Sequence, residues 1–193
     1  LPPAMLQEMI RKTDGVPLFV EELLKTVLES GLLREQADHY ELSGPLPPLA
    51  IPATLHDALM ARLDRLAPVK EIAQIGASIG REFSFGLLRT LVAYDETALR
   101  QALAQLEDAE LVFRRGEPPD AIYNFKHALV QDAAYQSLLK SRRQQLHAQI
   151  AAALEQSFAD VVASEPEMLA HHFTEASLIE PAIEYWLKTG HLA

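Results

Sequence analysis

The sequence predicts a mainly α fold: a short helical segment, a winged helix-turn-helix domain with a small β-hairpin, and the start of an α-helical repeat. Three observations predict it. Apolar residues recur at helical spacing over most of the 193 residues. Residues 43–52 hold Pro45, Pro47, Pro48 and Pro52, which excludes a helix interior or a central strand and marks an extended linker. Two runs, residues 111–115 and 121–125, are rich in Val, Ile and aromatics and flank Gly116-Glu117-Pro118-Pro119-Asp120, the composition of strand, turn and strand. The expected organisation is therefore residues 1–44, a linker at 45–52, the winged helix at 53–139 and the repeat start at 140–193.

Met5, Leu6, Met9 and Ile10 predict an amphipathic helix over 4–13, stopped by Asp14-Gly15. Pro17 then stands near the first helical position, where its missing N–H does no harm. Leu23, Leu24, Val27 and Leu28 form one apolar face, and Ser30-Gly31 reads as the stop. Residues 32–35 and 39–42 predict a small hairpin. Beyond the linker, Thr54-x-x-Asp57 resembles a capping box, and Leu55, Leu59, Leu63 and Leu66 follow as a helical stripe. Pro68 begins a helix apolar almost all round, in which the small Ala73, Gly76 and Ala77 allow close helix contact. Ser84 and Asp95 are expected N-caps for helices at 85–93 and 96–108.

Tyr123 and Phe125 alternate with Asn124 and Lys126 as on a strand. From His127 the period changes, and Leu129, Val130, Ala133, Ala134, Tyr135 and Leu138 recur as on a helix. His127 thus sits at a helix start, where N–H groups lack intrahelical partners. After residue 140, Leu146, Ile150, Ala153, Leu154 and Phe158 mark a long helix, with Arg142 and Arg143 on its outer side. Met168, Leu169, His172, Phe173 and Ala176 mark a shorter one, and Pro181 is expected to open the last, carrying Ile183, Trp186 and Leu187. Two helices separated by a short turn look like the first unit of a repeat array, which needs at least three units for stability.

Composition narrows the function. The chain has no Cys, which excludes disulfides, thiolate metal sites and cysteine nucleophiles and fits a cytoplasmic location. No apolar run reaches the length of a membrane span, and no basic-then-apolar signal opens the chain. The opening Leu1-Pro2-Pro3, without a Met, points to a piece of a longer protein. A net charge of −10 repels phosphate backbones. The expected recognition helix presents Glu96, Arg100, Gln101, Gln105, Glu107 and Asp108, more carboxylate than DNA readers tolerate. Nucleic acid is therefore not the expected partner, although a DNA-binding winged helix remains the alternative.

No phosphate loop, dinucleotide fingerprint or nucleophile elbow occurs. Gly76-x-x-x-Gly80 lies in a helix and reads as packing. Adjacent His171 and His172 project about 100° apart on a helix, and Glu167 with His171 supplies two ligands where structural metal sites want about four. No metal site and no catalytic residues are expected. Tyr135 and Trp186 read as core aromatics.

The segment Gly15-Val16-Pro17-Leu18-Phe19-Val20-Glu21-Glu22-Leu23 resembles the G-N-P-L-F-V-E-E-L signature near the end of the ATPase module in STAND-type signalling ATPases. Residues 123–139 look like the end of the winged-helix domain that follows it there. The linker phrase Leu46-Pro47-Pro48-Leu49-Ala50-Ile51-Pro52-Ala53-Thr54-Leu55 and Met60-Ala61-Arg62-Leu63-Asp64-Arg65-Leu66 are similar to those of large bacterial members. In that group the ATPase, winged helix and tetratricopeptide-like repeats follow a class III adenylate/guanylate cyclase domain. The resemblance implies that residues 1–44 end an ATPase helical lid and that this fragment is a non-catalytic regulatory part of a signal-transduction protein. It implies ATP or ADP in the parent protein, with no cofactor held by the fragment alone. The implied partners are the upstream nucleotide-binding core, an effector domain of the same chain, and a protein docked on the repeats.

Two cofactor-binding residues follow from the resemblance. Pro17 matches the proline that packs on adenine, and His127-Ala128-Leu129 resembles the Met-His-Asp motif whose His reaches the β-phosphate of ADP. Lys126 and Ala128 depart from that motif. The residues themselves also allow plainer roles: Pro17 as an ordinary first-turn proline and His127 as a locally bonded helix-start residue.

Overall fold

The computed structural model describes residues 3–29, 33–36, 39–42 and 54–192. Among them helices predominate, with two small antiparallel sheets. The proline-rich linker and the Ser30-Gly31 stop lie outside the described residues. The chain forms two compact units, Leu1–Leu66 and Ala67–Ala193.

The first unit contains α1 (Pro3–Thr13), α2 (Pro17–Glu29), β1 (Leu33–Glu35), β2 (Tyr40–Leu42) and α3 (Leu55–Arg65). Asp14 and Gly15 end α1 with φ of 47° and 73°, the left-handed turn that the Asp-Gly pair predicts. Strands β1 and β2 pair antiparallel from Leu33 opposite Leu42 to Glu35 opposite Tyr40. Thr54 caps α3, its Oγ1 accepting the Asp57 N–H at 3.1 Å. The core joins Met5, Met9, Phe19, Leu23, Val27, Leu33 and Ala58, with Leu24, Tyr40 and Leu55 packed against it. Fully burying each large side chain contributes roughly 1.5–3 kcal/mol.

The division between units falls at Leu66–Ala67, inside the segment 53–139 expected as the winged helix. The reason is visible in α3. Ala58 belongs to the apolar core of the first unit, and Arg62 forms a buried ion pair with Glu22 of α2. That helix is held by α2.

The second unit opens with α4 (Ala67–Ile79), β3 (Glu82–Ser84), α5 (Phe85–Leu91), α6 (Glu96–Asp108), β4 (Val112–Arg115) and β5 (Ile122–Phe125). Its sheet has the order β3-β5-β4, with Phe83 opposite Tyr123 and Val112 opposite Phe125. Three helices, a first strand between the first two, and a closing hairpin make a winged helix-turn-helix. The expected caps form: Ser84 Oγ accepts the Leu87 N–H at 3.1 Å and Asp95 Oδ1 the Ala98 N–H at 2.8 Å. Strand β3 is not foreseen by the sequence, since three residues between helices carry no readable alternation. Its Phe83 stacks on Tyr123, with ring centres 5.7 Å apart, and lies 5.6 Å from Phe125. Gly76 makes room for this ring: a Cβ on it would meet the Phe83 ring at 2.8 Å.

The chain continues through α7 (Ala128–Gln136), α8 (Lys140–Ser157), α9 (Ala159–Ser164), α10 (Pro166–Glu175) and α11 (Ile179–Leu192). Ile150, Ala151 and Leu154 of α8 pack with Leu169 and Phe173 of α10, Ala182 of α11 and Leu87 of α5. The last helix starts at Ile179, ahead of the expected Pro181. Ser177 takes φ 60°, and the Leu178 carbonyl already accepts the Ala182 N–H at 3.1 Å. No described helix is long and apolar enough to cross a membrane.

Candidate functional site

Pro17 occupies the first position of α2, exposed, directly after the Asp14-Gly15 turn. The turn is built by the Val16 N–H donating to the Thr13 carbonyl at 2.9 Å, and α2 begins with the Val20 N–H on the Val16 carbonyl at 3.0 Å. An exposed, rigid apolar ring beside a helix start can stack on a flat ligand face. Behind it, α2 is anchored by Glu22, whose carboxylate meets Arg62 with both side chains at most 2% exposed.

His127 is the N-cap residue of α7, with φ −136° and ψ 144°, yet its ring makes no capping bond. Its backbone carbonyl accepts the Val130 N–H at 3.0 Å. The ring Nε2 is buried and has no hydrogen-bond partner. His127 thus bonds locally through its backbone, while a ring nitrogen stands without a partner beside the helix start. Pro17 belongs to the first unit and His127 to the second.

The wing is electrostatically closed. Arg114 lies 2.7 Å from Glu117 and 3.6 Å from Glu107, Arg115 lies 3.6 Å from Glu82, and Arg100 lies 2.6 Å from Glu96. Arg89 also reaches Glu96 at 3.1 Å. The hydrogen bond from Arg100 lowers the Glu96 pKa. Such exposed pairs add little stability, but they cancel the positive potential that phosphate contacts require.

A third constellation escaped the sequence. Tyr135 of α7, His147 of α8, and His172 and Glu175 of α10 form one hydrogen-bonded chain. The Tyr135 Oη is 3.4 Å from Glu175 Oε2 and 2.9 Å from His147 Nε2, and His147 Nδ1 is 2.8 Å from His172 Nδ1. The two histidines are buried at 2% and 1% exposure, and His171 packs edge-on to His147. Burial pushes His147 down to about 4, with Glu175 opposing and His171 and Arg143 assisting. Burial, then the neighbouring His147 and His171, pushes His172 down to about 3. Burial also raises the Tyr135 hydroxyl, over whose ring the Arg143 guanidinium sits at 5.0 Å. A pocket of about 260 Å³, lined by Gln131, Asp132, Tyr135, His147, His171 and Glu175 among others, borders this chain. The only sequence signals are His147 beside Leu146 and Ile150, and His172 beside Leu169 and Phe173, each on an apolar helix face. Among the described residues no group of three His, Cys, Asp or Glu could hold a metal ion.

No family model matches the chain. It is 29% identical over 189 residues to an uncharacterized protein of Rhizobium meliloti (strain 1021), an alignment covering 97% of this chain and 18% of that protein. The chain therefore spans less than a fifth of the relative's length.

Proposed function

We propose that this chain is a non-catalytic regulatory segment of a nucleotide-switched signalling ATPase. In this reading the winged helix and the helices after it pass the ATP or ADP state to an effector, such as an adenylate/guanylate cyclase domain of the same protein. The carrying observation is the unbroken run from the wing strand β5 through His127 into α7, α8, α10 and α11. It joins a winged helix whose arginines are paired with carboxylates to a helical stack suited to protein contact. The match to a small share of a much longer relative accords with a segment that works inside a larger protein. Pro17 would pack on adenine, and the His127 ring, whose buried Nε2 has no partner here, would turn outward to meet a phosphate oxygen. A cytoplasmic setting belongs to the same proposal.

The test is ADP titration of a longer form of the protein that includes its upstream nucleotide-binding core. We expect His127→Ala to weaken ADP binding about tenfold, the scale of one lost charge-assisted hydrogen bond. Pro17→Ala should weaken it by about the same factor through two lost methylenes at roughly 0.8 kcal/mol each. Unchanged affinity in both variants would remove the nucleotide assignments. Tight binding of duplex DNA with a steep salt dependence would instead favour the DNA-binding alternative.

A further inference from the structure

Three helices of the second unit are joined by a single file of polar groups, and the donors along it can be assigned. A carboxylate only accepts, so the Tyr135 hydroxyl donates to Glu175. Its one proton is then committed, and its oxygen must accept from His147 Nε2–H. His147 Nδ1 is thereby a lone pair, which accepts from His172 Nδ1–H. His172 Nε2 is left as a bare lone pair, and it is one of the buried nitrogens with no partner. The file is complete only with both imidazoles neutral. A proton added at His147 Nδ1 would face the His172 N–H head-on, and one added at His172 Nε2 would be a buried donor without an acceptor, which is costly in a dry site.

We propose that this file is a proton-sensitive latch: α7, α8 and α10 close on one another only while His147 and His172 are both neutral, and acid opens them. The latch sits where the winged helix hands over to the following helices, since Tyr135 lies on the helix that His127 starts. The groups facing it are Asp132 and Tyr135 from α7, Arg143 from α8, and His171 and Glu175 from α10. From α4 the adjoining pocket receives Ala77, Ser78 and Ile79, none of which titrates. Helix α11 meets α10 through Trp186 on Thr174 and Tyr185 on Phe173, with the Tyr185 hydroxyl pushed up to about 12. Helices α5 and α9 contribute Leu87, Leu91, Val161 and Val162 to the apolar side. The pocket of about 260 Å³ borders His147.

The sign follows from linkage. Both folded-state values lie below the ordinary value of about 6.5, so the opened form binds more protons, and closure is favoured above pH 6.5 and lost progressively below it. Between pH 7.5 and 5.5 each histidine shifts the equilibrium about tenfold, and the two together about a hundredfold.

The experiment is amide hydrogen exchange of the whole chain at fixed ionic strength, corrected for intrinsic rates, at pH 7.5 and 5.5. We expect the opening constant of α10 amides to rise about a hundredfold, and the same amides of a His147→Gln, His172→Leu double variant to show no such rise. An unchanged opening constant in the wild type, or an equal rise in the variant, would overturn the latch. Should the variant not fold, nitrogen-15 NMR of the wild-type rings decides. Neutral His147 carrying its proton on Nε2 and His172 on Nδ1 through pH 5.5 supports it; either ring titrating near pH 6.5 in the folded protein overturns it.

Discussion

The two units each bury a polar link between helices, and they do so by opposite means. In the first, Glu22 of α2 and Arg62 of α3 meet as full charges, nearly without solvent exposure. In the second, Tyr135, His147 and His172 link α7, α8 and α10 as neutral groups, with the only formal charge, Glu175, at the solvent end. A buried ion pair loses hydration on both sides and regains it through mutual attraction, so it fails badly when one partner is removed. A neutral file is inexpensive to bury and fails when a proton arrives. The same pressure to pair buried polar groups, which leaves Nε2 of His172 as the unmatched end of the file, thus yields a link sensitive to mutation in one unit and a link sensitive to pH in the other.

Substitutions can separate the two designs. The largest effect is expected for Arg62→Ala, which leaves Glu22 as a buried charge without its arginine and should destabilise the first unit by about 3–5 kcal/mol. Replacing both partners, Glu22→Leu with Arg62→Leu, should restore most of that loss. Site-resolved hydrogen exchange under mild denaturant checks this, and an equal loss in both units would break the comparison.

Gly76→Ala strikes only the second unit. The new Cβ would stand 2.8 Å from the Phe83 ring, and displacing a ring stacked on Tyr123 and tilted against Phe125 should cost about 1–3 kcal/mol. Urea titration followed by exchange of β3 and β5 amides reads it. A neutral result would mean that Phe83 is not held as tightly as its stacking implies.

The smallest effects sharpen the comparison by matching the units. Thr54→Ala and Asp95→Ala each remove one side-chain cap, from α3 and α6 respectively. Both should cost about 1 kcal/mol, measured by thermal melting at pH 7.5. Similar costs would locate the difference between the units in their buried polar links rather than in their helix ends.

Much of the fold was legible because its causes are local. Thr54, Ser84 and Asp95 cap helices because an oxygen three residues before an N–H reaches it in any context. Asp14-Gly15 turns because left-handed backbone favours those residues. His127 and Pro17 could be placed at helix starts for the same kind of reason. Strand β3 could not be read, because its pairing with β5 joins Phe83 to Tyr123 across forty residues, and three residues leave no period. The membership of α3 was also hidden. Its leucine stripe says that one face is buried, but not against which neighbour, and the Glu22–Arg62 pair decides that.

The histidine file marks the same boundary most sharply. From the sequence, the spacing of His171 and His172 on one helix argues against a shared metal, and Tyr135 reads as a packed aromatic. The sequence by itself determined where most helices begin, which faces are apolar, and that the chain is acidic and without cysteine, because periodicity, capping and charge act over a few residues. Only the tertiary structure decided which buried nitrogen meets which. A hydrogen bond of about 3 Å depends on how α7, α8 and α10 are stacked, and that stacking is set by the whole core rather than by any one segment.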